Sequence, residues 1–179
     1  ARFFINGVDT QTQGLDIVSR YRLTTENLGQ FDLTAAANFN KTEVKRVPTT
    51  TVLSGLPVPP PLFDRGNRLT FEKGTPREKL VASVDWTLNN WGATAKVTHY
   101  GDVLVPSNTP ALDYHVGKHF VFDFEGRYQT PIGVGVALGV NNAFDEYPNQ
   151  TPALVNTTGA TGFPGFSPFG FNGRYYYAR

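Results

Sequence analysis

Seven runs of period-two alternation are joined by connections that are in turn short and long. The short ones are Glu26-Asn27-Leu28-Gly29-Gln30, Asn89-Asn90 and Thr130-Pro131-Ile132; the long ones cover roughly 44–77, 102–118 and 143–170. In an antiparallel meander this rhythm puts every tight turn at one end and every long loop at the other. Transmembrane β-barrels have that asymmetry. A soluble sandwich has no physical reason to collect its long loops at one end.

Successive side chains on a strand point to opposite faces. The first run sets Leu15, Ile17, Ser19, Tyr21 and Leu23 against Asp16, Val18, Arg20, Arg22 and Thr24. The third sets Leu80, Ala82, Val84, Trp86 and Leu88 against Val81, Ser83, Asp85, Thr87 and Asn89. The fifth sets Phe120, Phe122, Phe124 and Tyr128 against Val121, Asp123, Glu125 and Arg127. Each run thus predicts a strand with one apolar and one polar face. The last, from about Phe171 through Tyr175-Tyr176-Tyr177-Ala178-Arg179, has ambiguous parity. No useful stretch repeats apolar residues at helical spacing, so no long helix is expected. Trp86, Trp91, Phe31, Phe39, Tyr100 and Tyr128 fall near run ends, as interfacial girdles require.

Composition agrees with a barrel wall. Charged residues are 17% of the chain, against about 25% in an ordinary soluble domain. A net charge of +1 gives no basic field for nucleic acid. The absence of cysteine excludes a disulfide scaffold, a zinc-thiolate site and thiol catalysis. The longest apolar run, Val134 to Val140, falls far short of the ~18 residues of a membrane helix. The opening Ala1-Arg2-Phe3-Phe4 has neither a starting Met nor a signal segment, so the chain reads as a piece of a longer polypeptide.

Three segments carry a resemblance. They are Gly14-Leu15-Asp16, Val140-Asn141-Asn142-Ala143-Phe144-Asp145-Glu146-Tyr147-Pro148 and Gly173-Arg174-Tyr175-Tyr176-Tyr177-Ala178-Arg179. In order and spacing they resemble the C-terminal barrel of TonB-dependent outer-membrane receptors. The resemblance implies an all-β, up-and-down meander of about seven strands, part of a large transmembrane β-barrel. Such transporters have about 22 strands around a plugged lumen. Residues 1–179 would be a C-terminal piece that stops before the family's closing aromatic. Nothing in them resembles a plug domain, a TonB-binding segment or a signal peptide. The implied function is uptake of a scarce nutrient, such as a ferric siderophore, energised through TonB at the bacterial outer membrane. The implied partners are outer-membrane lipid, the rest of the barrel with its plug, TonB through the missing N-terminal part, and a small nutrient ligand. No cofactor and no enzymatic activity are implied.

The candidate sites follow from the same strands and loops. Asp85, Lys96, Asp123, Glu125 and Arg127 are expected to form a lumen charge network. Tyr114, His115, Phe163, Phe166 and Phe169 are candidate substrate contacts in the long loops. Gly135, Ala137 and Gly139 are candidate plug-packing positions, because small residues let another backbone approach closely. Two other readings compete. A soluble β-sandwich would bind carbohydrate through the Tyr- and Phe-bearing loops. A hydrolase would use Asp123 and Glu125, about 7 Å apart on one face, as acid and base. His115 and His119, four apart, would be about 13 Å apart on a single strand and could not share an ion.

Overall fold

The computed structural model describes residues 7–47, 55–58, 61–157, 159 and 162–179. In chain order it contains β1 (Asp9–Thr25), β2 (Gly29–Arg46), α1 (Arg65–Lys73), β3 (Glu78–Leu88) and β4 (Trp91–Tyr100). These are followed by β5 (Leu104–Val105), a 3-10 turn (Pro110–Leu112), β6 (Tyr114–His115), β7 (His119–Gln129), β8 (Gly135–Asn141) and β9 (Tyr175–Ala178). Seven strands form one open antiparallel sheet in the order β1-β2-β3-β4-β7-β8-β9, and β5 pairs with β6 in a separate hairpin. All sheet neighbours are consecutive strands of the meander, as the alternating runs predict.

The turns have local causes. Gly29, with φ of 82°, closes the first; a Cβ there would run into the Thr87 carbonyl. Asn89 closes the second with φ of 51°, a left-handed conformation that asparagine tolerates. The hairpin β1–β2 is longer than its alternation indicates, at 17 and 18 residues, and its loop end carries Gln11, Gln13, Lys41 and Glu43. Helix α1 lies in the first long loop. Asp64 caps it by accepting from the Asn67 amide at 2.8 Å, and the Gly74 amide closes it on the Thr70 carbonyl.

Register decides the architecture. Ile17 faces Ala37, Ala37 faces Leu80, Leu80 faces His99, and His99 faces Phe120. Further along, Leu33, Val84, Ala95, Phe124, Val140 and Tyr176 form a second row across six strands. A slip of one residue at any junction would turn an apolar row over to the other face; the register holds along these rows, and the β1–β2 pair shifts at Asp9/Thr10, outside them. The result is one continuous apolar face. The ambiguous last strand puts Tyr176 and Ala178 on it and Tyr175 and Tyr177 on the opposite, polar face.

The apolar face has no covering layer among the described residues. Leu15 is 57% exposed, Leu138 64% and Tyr176 68%. A sandwich would bury these side chains against a second sheet. The soluble carbohydrate-binding alternative therefore lacks the architecture it needs. The buried apolar residues are few: Val44, Val103, Leu104, Val116, Val121 and Ala137. Most sit where the long loops fold over the loop end of the polar face.

The aromatic girdle is corrected in one position. Phe31 faces Trp86, and the Trp91 and Tyr128 rings lie 4.5 Å apart, all on the apolar face beside the short turns. Phe39 holds the loop end of that face. Tyr100 pairs with Lys79 and His119, which puts it on the polar face. Its parity is opposite to that of its neighbour His99, so position near a strand end was not enough to assign it.

Candidate functional site

The polar face is a ladder of paired charges. Lys96 bonds Asp123 at 2.7 Å across β4 and β7. Arg127 donates to both oxygens of Asp85, at 2.9 and 2.7 Å, and to the Thr94 hydroxyl at 2.9 Å. Glu125 accepts from the Tyr177 hydroxyl and from Arg179, each at 2.8 Å, with Arg127 a further 3.5 Å away. The five predicted charged residues thus lie on one face in two linked groups. Sequence pattern missed Thr94, Tyr177 and Arg179, which complete them. Alternation could have pointed to Thr94, while Tyr177 and Arg179 needed the parity of β9. Arg174 stands apart, its amide held by Asp145 at 2.8 Å.

This arrangement leaves no free acid–base pair. The remaining Asp123 oxygen accepts the Asn142 amide at 2.9 Å, and Glu125 is surrounded by its three donors. A general acid needs a proton and an open path to a substrate oxygen. These carboxylates are committed as charged acceptors.

Gly135, Ala137 and Gly139 also lie on the polar face, paired with Gln129, Arg127 and Glu125. The close approach at Gly139 is taken by the Tyr177 ring, which leaves no room for a Cβ there. Gly135 has the Gln129 side chain beside it, and Ala137 is buried.

At the loop end, the last long loop folds inward over this face. Phe169 stacks on Tyr100 with centroids 5.4 Å apart and lies 5.3 Å from the His119 ring. His119 is buried between two acceptors: Glu146 Oε1 is 2.6 Å from Nδ1, and the Val116 carbonyl is 2.8 Å from Nε2. Phe163 stacks between Tyr147 and Phe171, at 5.4 and 6.2 Å. Phe166 is exposed. So two of the three predicted Phe contacts anchor their own loop, and Phe166 faces outward. Tyr114 is half-buried in β6, and His115 is exposed against Asp102. His115 and His119 lie on different strands, separated by Gly117 with φ of 88°.

The motif Asn141 to Pro148 has a structural explanation. The Asn142 side chain accepts the Glu146 amide at 2.8 Å and donates to the Glu146 carbonyl at 2.7 Å. Asn142 and Asp145 take left-handed φ values of 51° and 60°. Phe144 extends the apolar face by packing edge-on to Phe122 and Phe124. The segment is a folded turn that leads the chain from β8 into its last loop.

The first and second long loops are clamped together. Arg65 bonds Asp113 bidentately, at 2.9 and 2.6 Å, and Asp113 also accepts the Ser107 amide at 2.8 Å. Arg65, then the Ser107 amide, holds the Asp113 carboxyl at about 2. The Asn67 amide, then the Asn108 side chain, likewise hold Asp64 below the usual carboxylate range. A cavity of about 360 Å³ lies nearby, lined by Lys73, Arg77, Glu78, Asp102, His115 and Lys118 among others. Among the described residues, no three His, Asp or Glu side chains converge as a metal site needs.

A family model described as TonB dependent receptor-like, beta-barrel matches residues 2–143. The chain belongs to the TonB-dependent receptor β-barrel family. Comparison with curated proteins finds no match. Membership explains why a receptor wall carries its hydrophobic residues on the open side of a sheet with so small a core. The family is one of outer-membrane receptors and transporters, and not a family of enzymes. The match ends at Ala143 and so does not reach most of the folded turn or β9.

Proposed function

We propose that the chain is the C-terminal part of the wall of an outer-membrane receptor. It takes up a scarce small nutrient, such as a ferric siderophore, with energy supplied through TonB. The observation that carries this reading is the unbroken register of one apolar face across seven strands, with the paired charges on the other. The apolar face meets outer-membrane hydrocarbon, and Phe31, Trp86, Trp91 and Tyr128 mark the periplasmic interface. The polar face lines the lumen. Asp85, Lys96, Asp123, Glu125 and Arg127 keep that lining charged yet internally paired, so no single sign of charge repels a passing ligand.

The plug of the complete receptor packs against the polar face nearer the short turns, with the exposed Gly135 among the small residues it meets. The loop end is left for capture. There the exposed Phe166, and the exposed His115 on its Asp102 partner, are the side chains offered to a ligand, with Tyr114 half-buried beside His115 in β6. Phe163 and Phe169 hold the loop that presents Phe166.

The test is uptake by cells whose only copy of the gene is altered. Deletion is expected to abolish growth on one ferric chelate as sole iron source, and to do so only in cells with functional TonB. The protein should fractionate with outer membranes and need detergent for extraction. A product that is soluble in plain buffer, with growth unchanged on every nutrient tried, contradicts the proposal.

A further inference from the structure

At the loop end, the last rung shared by β3, β4 and β7 is Lys79, Tyr100 and His119. The cavity of about 360 Å³ lies beyond that rung, among residues of the first two long loops. Lys73, Thr75 and Arg77 line it from the stretch that joins α1 to β3. Leu104, His115 and Lys118 line it from the second loop. Its volume is at the small end of ordinary ligand pockets, roughly 300–1,000 Å³, and suits a small solute.

The charges around this cavity do not balance. Its two acids, Glu78 and Asp102, are both engaged. Glu78 accepts from Lys118 at 2.9 Å. Asp102 takes the Gly117 amide at 3.1 Å on one oxygen and His115 Nδ1 on the other. Glu72, the acid beside Lys73 in sequence, is taken by Arg68 and the Val44 amide, each at 3.1 Å. Lys73 and Arg77 are left with no acidic partner among the described residues, and His115 keeps its Nε2 edge free. Lys118 has further N–H donors to give, since an ammonium carries three. Cations gathered around one concavity repel each other, and a bound anion relieves that repulsion. They come from two loops, so an anion with one charged group cannot meet them all.

We propose that this cavity captures a small soluble polyanion, a solute with two or more carboxylate or phosphate groups. Lys73 and Arg77 take one group, Arg77 through its planar fork. Lys118 and protonated His115 take a second, with Asp102 orienting the imidazole. The Thr75 hydroxyl donates to the ligand at the rim. The inference rests on the reading of the loop end as the receptor's capture surface. It narrows the nutrient to an anionic solute or an anionic chelate, and it adds Lys73, Arg77 and Lys118 to the exposed His115 as residues that choose it.

The test is calorimetric titration of the intact receptor in detergent with citrate, fructose 1,6-bisphosphate, acetate and glucose. Citrate or the bisphosphate should bind about tenfold or more tighter than acetate or glucose, and the tighter of the two tells carboxylate from phosphate. Lys73→Ser with Arg77→Ser should weaken that anion about tenfold or more. Lys41→Ser with Lys45→Ser removes the same charge from outside the cavity, where both lysines serve Glu43, and should leave binding unchanged. Thr75→Trp keeps every cation but fills the space, and should weaken binding as well. Acetate or glucose binding as well as the polyanions, equal losses in the two double variants, or binding untouched by Thr75→Trp overturns the proposal. Heat-modifiable electrophoretic mobility of each variant reports the folded barrel separately. A receptor that stays in the outer membrane yet binds neither polyanion refutes this site alone, whereas a protein soluble in plain buffer refutes the receptor reading.

Discussion

Tyr177 lies over Gly139, its cross-strand partner, and reaches past it to donate its hydroxyl to Glu125 at 2.8 Å. The glycine makes room, and the ring covers backbone that a glycine leaves bare. One contact thereby seats β9 on β8 and completes the acceptor bonds of a carboxylate on β7. Gly139→Ala should push the ring away and cost about 1–3 kcal/mol. Tyr177→Phe should keep the packing and lose the bond to Glu125, at about 1–2 kcal/mol. Combined, the two should cost less than their sum, because each breaks the same bond. Urea unfolding of the receptor in lipid vesicles measures all three.

Arg127 and Arg22 offer a contrast within one face. Arg127 is 33% exposed and serves Asp85, Thr94 and Glu125, whereas Arg22 is 66% exposed and serves only Asp32. Arg127→Met should destabilise by about 1–2 kcal/mol, since it strips donors from two carboxylates at once. Arg22→Met should change stability by less than about 1 kcal/mol, the usual result for an open pair. The same unfolding assay ranks them, and equal effects would contradict the difference in shielding.

Much of this was legible in the alternation. Rows such as Phe120, Phe122, Phe124 against Asp123, Glu125, Arg127 identify two faces, and the short turns tell which strands are neighbours. Four features were not legible, for physical reasons. The run Tyr175-Tyr176-Tyr177 has no alternation, so only its pairing with Val140 and Gly139 assigns a face. Tyr100 sits one residue beyond an apolar-face His, where a single step reverses the side. The contacts of Phe169 with Tyr100 and His119 join positions about 50 to 70 residues apart, and no local pattern encodes such a meeting. Helix α1 was missed because a nine-residue helix is too short to display a clear apolar stripe.

Phe169 should act as the latch of the last long loop. Its ring is held by Tyr100 and His119, a contact of about 1–1.5 kcal/mol beyond its burial. Phe169→Ala should raise the rate of limited proteolysis within 149–172 about tenfold while leaving the barrel resistant. Phe166→Ala, at an exposed position, should leave cleavage unchanged. Equal protection in both variants would show that the loop is held elsewhere.

The Arg65–Asp113 clamp gives the outer loops a pH limit. Asp113 is depressed from 3.8 to about 2 in the folded loops. A depressed carboxylate contributes stability above its unfolded value, and loses it as pH falls through the folded one. The clamp should be complete above about pH 4 and fail between about 4 and 2. Protection of the Ser107 and Gly66 amides from hydrogen exchange, relative to the intrinsic rate at each pH, should fall across that window in the wild-type receptor. In Asp113→Asn that protection should already be low at pH 6 and change little on acidification.

The central claim is that the apolar face meets hydrocarbon and the charged face meets water. The chain has no cysteine of its own, so single cysteines carrying a nitroxide can report each position. Leu80, Val97 and Leu138 stand for one face, and Ser83, Thr94 and Thr87 for the other. With the receptor in lipid vesicles, collisions with oxygen and with a water-soluble nickel chelate are compared by electron paramagnetic resonance. The account predicts oxygen-dominated relaxation at Leu80, Val97 and Leu138, and nickel access at Ser83, Thr94 and Thr87 unless the plug shields them. Nickel access at the first three, with oxygen dominating at the second, would contradict it.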